Sequence, residues 1–111
     1  MKPAVVLFAA ASMGRDLAPR VAAKLGAGLA SDCTALTVSG GALLATRPVY
    51  AGKAVQTVRF PFTPAVASLR PKMFAAVTGA GKAGVVQSLE LTPEPQRARV
   101  REVAAEASGT V

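Results

Sequence analysis

Six consecutive apolar residues, Ala4-Val5-Val6-Leu7-Phe8-Ala9, precede a turn of mostly small residues over 10–14, and Leu17, Val21 and Leu25 then recur at four-residue intervals. A continuous apolar run, unlike an alternating one, is what a parallel strand covered on both faces requires, so it predicts a strand lying centrally in a sheet. The four-residue spacing predicts a helix from Arg15 onward. Pro19 fits that helix only near its start, where the missing N–H would be unpaired anyway, and Gly26 is placed to stop it in the left-handed conformation. Strand, turn and helix make residues 4–26 an α/β unit, to which the rest of the chain must dock.

From Asp32 the pattern changes to short strands, over 33–38, 42–47, 54–60 and 65–70, inside a strand-rich stretch of 32–74. They are separated by Gly40-Gly41, by a turn from Pro48 to Lys53, and by Pro61 with Pro64. Gly40-Gly41 between two apolar runs predicts a hairpin. Residues 78–84 are nearly all Gly and Ala and predict a loop, as does Thr92-Pro93-Glu94-Pro95. Residues 96–107 read two ways: their Ala, Glu and Arg content favours helix, whereas Arg97, Arg99 and Arg101 alternate with Ala98 and Val100 as in a half-exposed strand. Ser108-Gly109-Thr110-Val111 offers no stop signal. A chain of 111 residues allows one core, so the expectation is a single unit over 1–111. Its class is α/β, a parallel-sheet core with an added antiparallel, strand-rich portion.

Charge is distributed unevenly. The net charge is +7, and between Cys33 and Leu89 there is no acidic residue, while Arg47, Lys53, Arg59, Arg70, Lys72 and Lys82 all lie there. Such a field favours an acidic partner, or else is a solvated basic face. Nucleic acid is disfavoured, because Tyr50 and four Phe, most of them in apolar runs, make a poor stacking platform. The single cysteine, Cys33, cannot form an internal disulfide and reads as a small buried apolar residue. The N-terminal stretch is too short and too soon followed by Arg15-Asp16 for a secretory signal, and no apolar run approaches the ~20 residues of a membrane span. A cytoplasmic location and no transmembrane segment are therefore expected.

Without histidine, the chain has no Ser-His-Asp or Cys-His arrangement and no histidine metal site, and its six carboxylates form no close pair for acid–base chemistry. We expect no catalytic residues, no metal site and no enzymatic activity of its own. Gly79-Ala80-Gly81-Lys82-Ala83-Gly84 has the GxGxxG spelling of a dinucleotide loop, but residues 85–91 are too short and strand-like before Pro93 to be the helix that motif needs. Ala83 stands where a phosphate loop would need a hydroxyl after Lys82. The turn Ala11-Ser12-Met13-Gly14 lies where α/β folds place anions, and it reads either as a phosphate cradle or as a structural turn docking helix on sheet.

Four segments in order resemble the alpha subunit of electron transfer flavoproteins. They are residues 7–25, with Gly14-Arg15-Asp16-Leu17-Ala18-Pro19-Arg20 matching a G-[KR]-D-x-x-P-R pattern; Ser31-Asp32-Cys33-Thr34; Arg47-Pro48-Val49-Tyr50-Ala51-Gly52-Lys53-Ala54; and Arg70-Pro71-Lys72-Met73-Phe74. The resemblance implies an electron carrier between dehydrogenases and a membrane quinone oxidoreductase of the respiratory chain, built as a heterodimer with a beta subunit and using FAD. It implies that this chain is the later part of an N-terminal domain, that a domain absent from it holds the FAD, and that no cofactor-binding residue lies within it. Gly14, Arg15, Asp16, Arg20, Arg47, Pro48, Tyr50, Gly52, Arg70 and Pro71 are then scaffold or subunit contacts. It also implies a final strand over about 97–105 returning to the sheet. With an earlier α/β portion missing, an open sheet edge and exposed apolar surface are expected. The alternative is a free-standing basic binding module for an anionic partner, whose affinity would fall steeply with salt.

Overall fold

The computed structural model describes residues 2–79 and 81–105. They divide after Thr78 into two units rather than the one expected.

The apolar run forms β1 (Val5–Ala9), and the helix α1 (Ser12–Leu25) follows almost at once. The strand is parallel, as expected, but it is not central. It pairs with β6 (Ala65–Leu69), which pairs on its other side with β2 (Leu29–Cys33), giving the order β1-β6-β2. Ala65, Val66, Ala67 and Ser68 are all buried, whereas Val5 and Leu7 of β1 are 40% and 48% exposed. A continuous apolar run states that both faces are apolar; which strand gains neighbours on both sides depends on chain pairings far away in sequence.

The helix begins three residues before the expected Arg15, because the small residues after β1 let its first turn sit directly on the strand's end. A Cβ on Gly14 would lie 1.8 Å from the carbonyl oxygen of Ala9, so only glycine fits there. The early start puts Pro19 inside the helix, correcting the expectation that it marks the beginning. Its exposed position leaves the orphaned carbonyl of Arg15 to water, at a cost of up to ~3 kcal/mol relative to a good helix former. Gly26 ends the helix in the left-handed region with φ 62°. There Gly26 N–H donates to Ala23 O at 3.2 Å and Ala27 N–H to Ala22 O at 2.9 Å, the paired bonds of a Schellman stop.

The stretch expected as one strand over 33–38 is divided. Cys33 closes β2, Thr34 donates its N–H to Thr46 O at 2.8 Å, and β3 (Ala35–Ser39) starts a second sheet. That sheet is antiparallel, in the order β3-β4-β5, with β4 (Ala42–Val49) central and β5 (Ala54–Arg59) beyond it. Gly40 and Gly41, at φ 56° and 75°, make the expected two-residue hairpin. Pro48 belongs to β4 rather than to the turn, and it causes no break. Thr46 presents its carbonyl to Thr34, so Pro48, two residues on, aims its hydrogen-free nitrogen the same way, past the end of β3 where there is no ladder bond to lose.

Ala30, Cys33, Ala45 and Ala67 form the cluster that joins the two sheets, with Leu36, Val58, Phe60 and Leu69 around it. The helix covers the other face of the parallel sheet, burying Ala18 and Ala22. Val66 and Cys33 are the largest fully buried side chains, so the layers approach closely over a core made largely of alanine. Residues 81–105 carry neither helix nor strand and are exposed. The strand expected over 97–105 is not formed: alternation permits a strand but does not make one, and these residues have no ladder partner among the described residues. Ala80 of the 78–84 loop, residues 106 and 107 of the ambiguous segment, and Ser108 to Val111 lie outside the described residues.

Candidate functional site

Strands β1, β2 and β6 run the same way, so their carboxyl ends meet at one edge, the edge at which α/β sheets hold ligands. Ala10 N–H donates to Leu69 O at 2.7 Å and Arg70 N–H to Cys33 O at 2.9 Å, carrying the pairing one residue past the strands. This places Arg70 beside Asp32.

Asp32 sits where the β2–β6 register shifts, at φ 57°, a left-handed conformation that Asp tolerates better than most residues. Its N–H donates to the buried Ser68 hydroxyl at 2.9 Å. Its carboxylate accepts from Arg70 in a two-pronged pair, Nε to Oδ1 at 3.2 Å and Nη2 to Oδ2 at 2.6 Å. Those hydrogen bonds hold the Asp32 carboxyl below the usual aspartate range, against an opposing effect of burial, and the charges of Arg70, Arg15 and Arg47 add to them. The same pair raises Arg70.

Beside this pair opens a cavity of about 440 Å3 bounded by Asp32, Arg47, Pro48, Tyr50, Gly52 and Arg70. Five of the ten residues singled out from the sequence thus converge here from the ends of β4 and β6. The hairpin that forms its rim runs through three consecutive positive φ values, 52° at Tyr50, 54° at Ala51 and 84° at Gly52. Gly52 supplies the one that costs nothing. Arg47 lines the same cavity as Arg70, and its Nε is buried without a hydrogen-bond acceptor.

The other five are placed differently. Arg15 faces Asp32 across a neighbouring cavity of about 380 Å3 on the helix side. Asp16 and Arg20 form an ion pair one helical turn apart at 3.2 Å, with side chains 71% and 75% exposed, a surface pair of small energetic effect. Gly14 is the strand–helix contact described above. Pro71 lines a separate hollow with Leu7 and Phe74. Asp32 itself was quoted from the sequence only as part of a motif, and nothing local marked it as the centre of the site. Its importance comes from a partner 38 residues away.

A dinucleotide does not fit these residues. The space left by Gly14's missing side chain is filled by the Ala9 carbonyl and is not open to a ligand. No helix follows Gly79, Gly81 and Gly84 among the described residues. No group of three or more His, Cys, Asp or Glu among the described residues could hold a metal ion. No described helix is long and apolar enough to cross a membrane.

The model of the electron transfer flavoprotein domain matches residues 1–106. Protein FixB of Clostridium saccharobutylicum is 40% identical over 107 residues, which is 92% of this chain and 32% of the relative. The electron transfer flavoprotein subunit alpha of Bacillus subtilis (strain 168) is 34% identical over 102 residues, 91% of this chain and 31% of the relative. That of Thermoanaerobacterium thermosaccharolyticum is 44% identical over 72 residues, 63% and 22% respectively. The chain spans about a third of the length of the first two of these relatives. With a mixed α/β fold to match, and with its four sequence motifs inside the matched region, the chain belongs to the electron transfer flavoprotein family.

Proposed function

We propose that this chain serves as scaffold and subunit interface in the alpha-type subunit of an electron-carrying flavoprotein. The carrier is a heterodimer with a beta subunit, located in the cytoplasm, that takes electrons from dehydrogenases and passes them to the respiratory chain through a quinone oxidoreductase. The observation that carries the reading is the match of residues 1–106 to the electron transfer flavoprotein domain. The flavin would supply the one- and two-electron chemistry, and the residues described above would hold the sheet edge and the Arg47–Arg70 face in position for the beta subunit. No bond-making step is assigned to them.

Purification from the native source, with intact masses and the flavin absorption spectrum of the complex, tests the reading. A flavin-bearing heterodimer is expected; a colourless single polypeptide of 11.2 kDa would overturn it. The interface component has its own test. Reversing Arg47 and Arg70 to Glu should weaken capture of the beta subunit on co-expression, and undiminished capture would remove these residues from the interface.

A further inference from the structure

The cavity between Arg47 and Arg70 contains a charge imbalance that the protein does not resolve. Two arginines, Arg47 and Arg70, and one aspartate, Asp32, line it. Asp32 spends both oxygens on Arg70. Arg47 forms no ion pair among the described residues, and its Nε is buried without an acceptor. A buried donor left unpaired costs on the order of 1–3 kcal/mol, and more when it is charged. Arg15 approaches Asp32 from the helix side and adds further positive charge near the carboxylate. The rim also contributes: the N–H groups of Tyr50 and Ala51 make no hydrogen bond among the described residues, while those of Gly52 and Lys53 are taken by Val49 O and Tyr50 O. Two consecutive non-glycine residues with positive φ are costly, and strain of this kind gathers at ligand clamps.

We propose that this cavity is a binding site for a phosphate group, either free or carried on a small molecule, with Arg47 as its principal ligand. The guanidinium fork matches the spacing of phosphate oxygens and can donate two parallel hydrogen bonds. Arg70, held by Asp32, lines the same cavity and keeps Nη hydrogens that Asp32 does not use. The charge of Asp32 is offset by that of Arg70, so the excess positive charge at the cavity is that of Arg47. The site lies at the carboxyl edge of the parallel strands, where sheets of this class receive anionic ligands, but it uses side chains in place of a helix N-terminus. The inference does not rest on the electron-carrier reading, but it competes with the Arg47–Arg70 subunit contact proposed above, and the last arm of the test decides between them.

The test titrates the chain with inorganic phosphate at constant ionic strength, following the arginine Nε–H resonances and the heat of binding. The expected result is a saturable response centred on Arg47 and Arg70. Arg47→Gln should weaken it at least about tenfold, and Arg20→Gln, remote on the helix surface, should leave it unchanged. Arg47→Lys keeps the charge and loses the fork, so it should bind several-fold more weakly even if Arg47→Gln fails to fold. Wild-type affinity in the Arg47→Lys or a folded Arg47→Gln protein, or an equal response to chloride, would overturn the proposal. Repeating the titration on the flavin-bearing assembly separates a soluble phosphate compound from an acidic side chain of the partner. Retained affinity supports the site as proposed, and loss on assembly refutes it in favour of a protein carboxylate.

Discussion

Gly14→Ala is the sharpest test of how α1 is seated. The added Cβ would stand 1.8 Å from the Ala9 oxygen and 2.9 Å from its carbonyl carbon. Both are backbone atoms at the end of a paired strand, so no rotamer change relieves the contact, and the first turn of α1 must withdraw by ~1 Å or more. Alanine inside a helix is otherwise favoured over glycine by about 1 kcal/mol, and overpacking against fixed atoms costs roughly 1–3 kcal/mol. With the contact this short, the upper end applies, leaving a net loss of about 2 kcal/mol. In a folded unit of this size that corresponds to a drop in Tm of roughly 10 °C. Urea unfolding followed by far-ultraviolet circular dichroism measures it. Gly28→Ala is the control: nothing lies within 4 Å of its added Cβ and its φ is not left-handed, so it should be neutral or slightly stabilising. A Gly14→Ala protein as stable as the Gly28→Ala protein would refute the seating of the helix on the strand end.

Asp32→Asn should lower stability at neutral pH by removing the pair with Arg70. Because the folded Asp32 pKa is lowered, its contribution is complete above the unfolded-state value and is lost as pH falls through the lower folded value, so the gap between variant and wild type should close in acid. A gap that stays constant with pH would contradict this. Val66→Ala removes part of the largest buried aliphatic side chain on the central strand and should cost about 2 kcal/mol by urea unfolding, whereas Val38→Ala, on an exposed position, should cost little. Burial pushes the Cys33 thiol upward. Native chain at pH 8 should therefore react with an aromatic disulfide reagent far more slowly than urea-unfolded chain, and equal rates would show that Cys33 is not sealed between the sheets.

The sequence by itself determined the local elements: the apolar run of β1, the four-residue spacing of α1, the Gly26 stop, and the Gly40-Gly41 hairpin. Each depends on near neighbours, on side-chain periodicity or on a backbone conformation that glycine alone adopts cheaply. The family was legible for a related reason, since Gly14-Arg15-Asp16 and Arg47-Pro48-Val49-Tyr50-Ala51-Gly52 are short strings whose order survives without knowledge of their contacts. The start of α1 is not legible locally, because Gly14 reads as a helix breaker while the Ala9 carbonyl occupies the space of its missing side chain. Strand β2 was missed because Leu29-Ala30-Ser31-Asp32-Cys33 has weak strand character and is held in place by β6. The expected strand over 97–105 is absent for the opposite reason: its alternating pattern is compatible with a strand, but a strand also needs a paired neighbour, and none pairs with it among the described residues. Only the tertiary structure decided that β6, not β1, lies at the centre of the parallel sheet. It also decided that Asp32, Arg47 and Arg70 share one cavity, because pairings between residues tens of positions apart depend on packing and charge across the fold, to which local pattern carries no signal.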